Sequence, residues 1–146
     1  MKKRILAVAS LLVVCSFAAT QVARAQEPMV VNVPFAFTAG DATLPAGEYR
    51  VQKMDGNGAV LLVRCSDPNA AAFVMTIGTN AKEQQGQSKL IFNRYNDHYF
   101  LAQVWNAGYS TGRELRKTAR EKEIAQTAKL ESQSRVILLA SISPSK

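Results

Sequence analysis

The feature that most constrains this fold is a series of short apolar-alternating segments, with a turn signal about every ten residues. The clearest segment lies within 30–51, VVNVPFAFTAGDATLPAGEYRV, where Val31, Val33, Phe35 and Phe37 share one face of an extended chain. A period of two, with β-branched and aromatic residues, predicts a strand. The glycine and proline residues that follow predict two tight turns. This stretch therefore predicts a strand, two turns and the start of a second strand.

The same pattern recurs along the rest of the chain and predicts further strands at 48–54, 59–65, 71–77, 89–95, 98–105 and 135–140. Asn96 and Asp97 separate two of these segments and predict a two-residue hairpin turn. A register fixed by that turn places Tyr95 opposite His98, Arg94 opposite Tyr99, Phe92 opposite Leu101 and Leu90 opposite Gln103.

The segment 113–131, RELRKTAREKEIAQTAKLE, has a different character. It is rich in helix formers, lacks glycine and proline, and carries only a narrow apolar stripe, which predicts a surface helix. The expected fold class is therefore mainly β. We expect a single-domain antiparallel sandwich or small barrel of about seven strands, with one C-terminal surface helix before the last strand.

The N-terminus predicts export. A basic run at 1–4 precedes an apolar run at 5–19, and Ala23 and Ala25 form a small-residue cleavage site, as in a secretory signal peptide. The alternative is an uncleaved membrane anchor, for which the apolar run is short. We expect residues 1–25 to be the signal peptide and 26–146 to be one β-rich domain with a short free C-terminal tail. The expected location is periplasmic or extracellular.

Cleavage changes the charge of the chain. The whole sequence carries 18 basic and 11 acidic residues, and four of the basic ones lie in the leader. The mature chain then has a net charge of +3, which together with export makes nucleic acid an unexpected partner. No later segment is apolar and long enough to span a membrane, so we expect no transmembrane segment in the mature chain. The sequence leaves two kinds of partner open, a small ligand and an envelope component.

Catalytic chemistry has little support in the sequence. The only histidine, His98, lies beside Asp97 at the predicted hairpin tip, where a solvated turn residue is expected. Cys65, the only cysteine after the leader, shares a strand face with Leu61 and Val63, which favours a buried, inert thiol over a reactive one. No hydrolase, phosphate-loop or zinc motif occurs. We expect no enzyme activity, no catalytic residue, no metal site and no cofactor.

Two groups of residues are weak candidates for binding. Arg94, Tyr99, Gln103 and Trp105 combine a guanidinium, two aromatic rings and an amide, and could line a pocket for a small anion or a sugar. The alternative is an amphipathic sheet face with a snorkelling arginine.

The second group is a row of cations on the predicted helix, spaced three and four residues apart: Arg113, Arg116, Lys117 and Arg120. These side chains could contact an anionic envelope surface. The alternative is an ordinary solvated face balanced by neighbouring glutamates.

The opening stretch resembles a group of small exported bacterial proteins that share VPFxFxxGxxxLPAGxYxV near the mature N-terminus. The matching positions include Val33, Phe37, Gly40, Gly47 and Tyr49. Segments 90–105 and 112–115 are also similar, so the resemblance covers most of the mature chain. It implies export and a β-rich fold, and it carries no activity. More loosely, LPAGEYRV is similar to the PGxY turn of transthyretin-like and carboxypeptidase-regulatory sandwich domains.

The functional hypothesis is an exported, non-catalytic envelope protein that acts by binding or as a structural component. A lipocalin-like carrier, with a small ligand in a barrel cavity, is the alternative, and an enzyme with an unfamiliar site ranks last.

Overall fold

The computed structural model describes residues 28–128 and 133–140. The predicted signal peptide, the predicted tail and the predicted helix residues 129–131 lie outside these ranges. The described strands are β1 (Met29–Val33), β2 (Phe37–Ala39), β3 (Ala42–Leu44), β4 (Gly47–Lys53), β5 (Val60–Cys65), β6 (Ala71–Asn80), β7 (Lys89–Tyr95), β8 (His98–Trp105), β9 (Thr111–Leu115) and β10 (Gln133–Leu139). Helix α1 (Ala119–Thr127) lies between β9 and β10.

The strands form one mixed sheet in the order β1-β4-β5-β6-β9-β8-β2-β3, and β7 joins β8 to β10. All pairs are antiparallel except β2 and β8, which pair in parallel through Thr38 and Phe100. β6 connects the two parts of the sheet, because residues 71–75 pair with β5 and residues 76–80 pair with β9. β1 and β10 approach each other. Within the described residues they form no ladder, so the sheet is not closed.

The mainly β class, and a helix before the last strand, are confirmed. The prediction of about seven strands is wrong, since the described residues form ten, and the all-antiparallel arrangement is wrong because of the β2–β8 pair. The prediction of a closed barrel as one alternative is also wrong. The unclosed sheet is consistent with the other alternative, a sandwich. Three strands account for the difference. β3 and β9 are short and lie where a turn and a helix are predicted, and β2 arises because the first predicted strand is divided in two.

That division occurs at Pro34. β1 is an edge strand that pairs only with β4, and its ladder ends where Val33 faces Gly47. Proline has no N–H to continue the ladder, so the chain leaves β4 and begins β2 at Phe37, in the other part of the sheet. The predicted faces are nevertheless correct: Val33 and Phe37 are buried, and Phe35 packs against the same core from a partly buried position.

The predicted hairpin of β7 and β8 is confirmed near its turn. Tyr95 faces His98, Arg94 faces Tyr99, and Asn96 adopts a φ of 52°, in the left-handed region. Further from the turn, the register shifts by one residue between Ile91 and Phe92, so that Leu90 faces Val104. The predicted pair of Leu90 and Gln103 is therefore wrong. The residue that has no partner is Ala102, which marks a β-bulge in β8.

The predicted start of the helix is also wrong. Residues 111–115 form β9, which pairs with β6 on one side and with β8 on the other. Pairing on both sides overrides the helix propensity of these residues. The helix begins only after Thr118, whose hydroxyl accepts a hydrogen bond from the Glu121 N–H at 3.2 Å and so caps the first turn.

The main core lies between the two parts of the sheet. At its centre, the ring of Phe37 meets Tyr49 edge to face at 5.0 Å and Phe92 at 5.3 Å. The Tyr49 side chain is fully buried, and its hydroxyl donates a hydrogen bond to the Pro45 carbonyl at 2.6 Å. Burial raises the pKa of this hydroxyl well above its usual range. The LPAGEYRV turn is thus fixed to the core by its own tyrosine.

Candidate functional site

A cleft of about 360 Å³ opens between the two parts of the sheet. β1, β4 and β5 line one side, and β6, β8 and β9 line the other. The apolar lining consists of four buried side chains: Met29, Val51, Leu61 and Val104. A concave site with an apolar lining and a few polar groups is the usual form of a small-molecule site. We call it the Lys53–Arg113 cleft, after the two cations that line it.

Lys53 and Arg113 converge over Gly58, in the turn between β4 and β5. A Cβ atom built on Gly58 would lie 3.1 Å from Arg113 Nε and 3.1 Å from Lys53 Cδ, so this glycine gives both side chains room. Gly58 also has a φ of +67°, which a residue with a side chain rarely adopts. The Arg113 guanidinium continues towards Gly78, whose own Cβ position is 3.9 Å from Nη1.

Neither cation has a hydrogen-bond or ion-pair partner among the described residues. No described residue that lines the cleft is acidic, and the polar lining includes the amides of Asn80 and Asn106. Two unpaired cations beside a buried apolar lining favour a ligand with an anionic head and an apolar body.

Sequence reasoning missed Lys53 altogether and placed Arg113 on a helix. A glycine within a strand often marks a close approach of another group, but Gly78 lies one residue beyond the predicted strand 71–77 and becomes part of β6 only in the structure. The fold is needed to show which group approaches, since Gly58, Gly78 and Arg113 come from three separate segments.

The predicted pocket residues Arg94, Tyr99, Gln103 and Trp105 do not form one pocket. The bulge at Ala102 changes the face on which the residues after it lie. Before the bulge, Tyr99 packs against the main core and stacks on Phe35 with ring centroids 3.9 Å apart. The guanidinium of Arg94 lies 5.6 Å from the centre of the Tyr99 ring, within the range of a cation–π contact. Arg94 Nε also donates to the Asn96 carbonyl at 2.8 Å.

After the bulge, Gln103 and Trp105 belong to a separate chain of hydrogen bonds on the other face. The Trp105 indole N–H donates to Gln103 Oε1 at 3.0 Å, and Gln103 Nε2 donates to Glu114 Oε2 at 3.1 Å. The Trp105 ring lies directly over Gly112 of β9. These contacts fix β8 against β9, and thereby position Arg113, the residue after Gly112, in the cleft.

The predicted row of helix cations is divided in the structure. Arg113 lies on β9, Arg116 and Lys117 lie in the connection to α1, and only Arg120 is helical. Their placement along one helix is therefore wrong, for the reason that β9 is a paired strand. Contact of these cations with an anionic surface stays a prediction.

Lys117 contributes to a polar cluster beneath α1. Its Nζ donates to the Tyr95 hydroxyl at 3.0 Å, a hydrogen bond that raises the pKa of Lys117. Glu121 is the buried centre of the cluster, and its Oε1 accepts from Asn93 Nδ2 at 2.9 Å and from the Tyr95 hydroxyl at 3.3 Å. The helix packs beside this cluster through Ala128 against Tyr95 and Phe100. The cluster fixes the helix to β7. The T-x-x-E spacing at Thr118 marks the start of the helix, while the Glu121 carboxylate bonds to Asn93 and Tyr95.

The two most reactive side chains, those of His98 and Cys65, lie on different strands and differ in exposure. His98 is exposed at the start of β8, as predicted, whereas Cys65 is a buried free thiol at the end of β5, facing the same core as Leu61 and Val63. Among the described residues, no group of three or more His, Cys, Asp or Glu side chains is arranged to hold a metal ion.

Comparisons with protein-family models, with curated proteins and with solved structures found no match to this chain. The helix in the described part of the chain is too short and too polar to cross a membrane.

Proposed function

We propose that this chain is an exported, non-catalytic envelope protein with a sandwich fold that binds a small amphipathic anion, such as a carboxylate with an alkyl chain. The observation that carries this proposal is the pair of unpaired cations, Lys53 and Arg113, beside the apolar lining of the cleft. The exposure of His98 and the burial of Cys65 support a binding role over nucleophilic catalysis. The unclosed sheet does not support a barrel carrier.

Calorimetric titration of the chain from Gln26 with decanoate tests this function. This chain contains every described residue and lacks the apolar leader. We expect decanoate to bind and neutral decanol to bind more weakly. A charge-assisted hydrogen bond contributes about 1.5–3 kcal/mol. Because Lys53 is exposed and Arg113 is only partly buried, the lower end applies, and Arg113→Gln or Lys53→Gln should each weaken binding about tenfold.

The matched control is Arg120→Gln, which removes an exposed arginine from α1 and should leave decanoate affinity unchanged. Equal binding of decanoate and decanol would contradict an anion site. Absence of binding to both would contradict the amphipathic ligand itself.

Export is tested separately by fractionating the producing bacterium and measuring the intact mass of the protein in its periplasm and cytoplasm. A chain that begins at Gln26 supports export, and a full-length chain retained in the cytoplasm contradicts it.

A further inference from the structure

An exposed apolar stripe runs along the outer face of β6. Phe73, Met75 and Ile77 have 68, 82 and 43% of their surfaces exposed, while the intervening residues point into the core. Alternate residues on a strand are about 6.8 Å apart, so the stripe is about 13 Å long. Its neighbours on β5 are also apolar: Leu62 pairs with Phe73, and Val60 pairs with Met75. Single exposed apolar residues are ordinary, whereas a contiguous patch of this kind marks an interaction surface.

Two arginines lie beside the stripe on the same outer face. Arg50 of β4 and Arg64 of β5 are directly opposite each other, and Arg64 also pairs with Ala71, two residues before Phe73. Neither guanidinium has a hydrogen-bond or ion-pair partner among the described residues. Both line a shallow cleft of about 390 Å³, to which Gln52 and Ser66 also contribute. Like charges directly opposite on paired strands are destabilising, and an anion bound between them would remove that repulsion.

Two acidic residues of the described strands lie on this face, and each accepts a hydrogen bond from a neutral side chain. Glu48 accepts a hydrogen bond from the Ser66 hydroxyl at 3.2 Å, and Glu114, which pairs with Ile77, accepts one from Gln103. No described residue that lines this shallow cleft is acidic, so the charge between Arg50 and Arg64 is positive.

An anionic phospholipid surface supplies both an anion for the arginines and an apolar environment for the stripe. Headgroup phosphates match the fork geometry of arginine, and the boundary between headgroups and acyl chains accepts aromatic and aliphatic side chains. A second copy of this chain fits less well, because face-to-face packing would remove two arginines from water and offer them one exposed carboxylate, that of Glu48. Strand addition would not cover the stripe either, because an added strand extends a sheet at its edge and leaves the outer face open.

We propose that the outer face of β4, β5 and β6 docks on an anionic phospholipid surface, with Arg50 and Arg64 on lipid phosphates and the β6 stripe in the apolar boundary. This surface shares no residue with the Lys53–Arg113 cleft. Its failure and the failure of the proposed function are therefore separate results.

Co-sedimentation of the chain from Gln26 with lipid vesicles tests the proposal. Vesicles of equal parts phosphatidylglycerol and phosphatidylcholine should bind the protein, and vesicles of phosphatidylcholine alone should bind it weakly. Each basic residue at an anionic surface contributes about fivefold, so the double variant Arg50→Gln with Arg64→Gln should bind about 30-fold more weakly. Phe73→Ser with Met75→Ser should weaken binding at least about tenfold.

Two matched controls distinguish this surface from general stickiness. Ile137→Ser with Leu139→Ser removes two apolar residues of β10 that are 54 and 58% exposed, and Arg120→Gln removes an exposed cation from α1. Both should bind vesicles as the parent chain does. The stripe residues are mostly exposed, so their variants should keep the parent melting temperature.

Three results would overturn the proposal. These are equal binding to the two kinds of vesicle, full binding by the arginine double variant, and a dimer in light scattering that Phe73→Ser converts to a monomer. The last result would assign the stripe to a second copy of the chain.

Discussion

Replacement of Gly112 by alanine should destabilise the contact between β8 and β9 that positions Arg113. A Cβ atom at this position would lie 2.6 Å from both Cδ2 and Cε3 of Trp105, whereas carbon atoms in contact normally stay about 3.5–4.0 Å apart. The indole must therefore move by about 1 Å. Trp105 is only 6% exposed and its N–H bonds to Gln103, so there is little room for this movement.

The magnitude follows from three contributions, two destabilising and one stabilising. Overpacking costs about 1–3 kcal/mol, and weakening of the indole hydrogen bond costs about 1 kcal/mol. The alanine also lowers the conformational entropy of the unfolded chain, which stabilises the folded state by about 0.4–1 kcal/mol. We expect Gly112→Ala to lower the free energy of unfolding by about 2 kcal/mol, and the melting temperature by about 8 °C for a domain of this size.

Urea unfolding followed by tryptophan emission is the assay, because Trp105 is the only tryptophan of the chain and reports on the altered contact directly. The matched control is Gly86→Ala, where the new Cβ would meet no atom within 4 Å and φ is not positive. The control should equal the parent or be slightly more stable. If Gly112→Ala unfolded within about 0.5 kcal/mol of the parent with unchanged emission, the account of this contact would be wrong.

Two other predictions concern the core and the helix. Burial raises the pKa of the Tyr49 hydroxyl above its ordinary value of 10.0. Below pH 10 the neutral hydroxyl contributes its full stabilisation of the fold. This stabilisation is lost as the pH rises further, because the tyrosine of the unfolded chain then ionises. Tyr49→Phe should cost about 1 kcal/mol at pH 7, through the lost hydrogen bond to Pro45, and should show a smaller decline of stability above pH 10 in urea titrations. Glu121→Ala leaves Asn93 and Tyr95 without their acceptor and should cost about 2 kcal/mol, with loss of helical circular dichroism, whereas the exposed control Glu123→Ala should change stability by less than about 0.5 kcal/mol. Equal effects of the two glutamate variants would contradict a specific role for the buried cluster.

Local sequence patterns predict the structure correctly where residues that are close in the chain determine it. The turn at Asn96 and Asp97 fixes the first pairs of the β7–β8 hairpin, because a two-residue loop sets the register next to it. The alternation around Tyr49 identifies the buried face of β4 for the same reason.

Features that depend on distant partners were not available from the sequence. The Ala102 bulge moves Gln103 and Trp105 away from Tyr99, and no local signal marks it. Residues 113–115 favour a helix by composition, yet they lie between β6 and β8 and become part of a strand. The Lys53–Arg113 cleft requires this strand, so the correct site could not be found without the correct topology.

The central claim is that the Lys53–Arg113 cleft binds an amphipathic anion, and amide chemical-shift mapping with decanoate tests it most directly. The account predicts that decanoate shifts the amide signals of Val51, Gly78 and Arg113, which line the cleft, and that Arg113→Gln reduces these shifts. Shifts confined to the outer face of β6, or shifts of equal size with decanol, would contradict it.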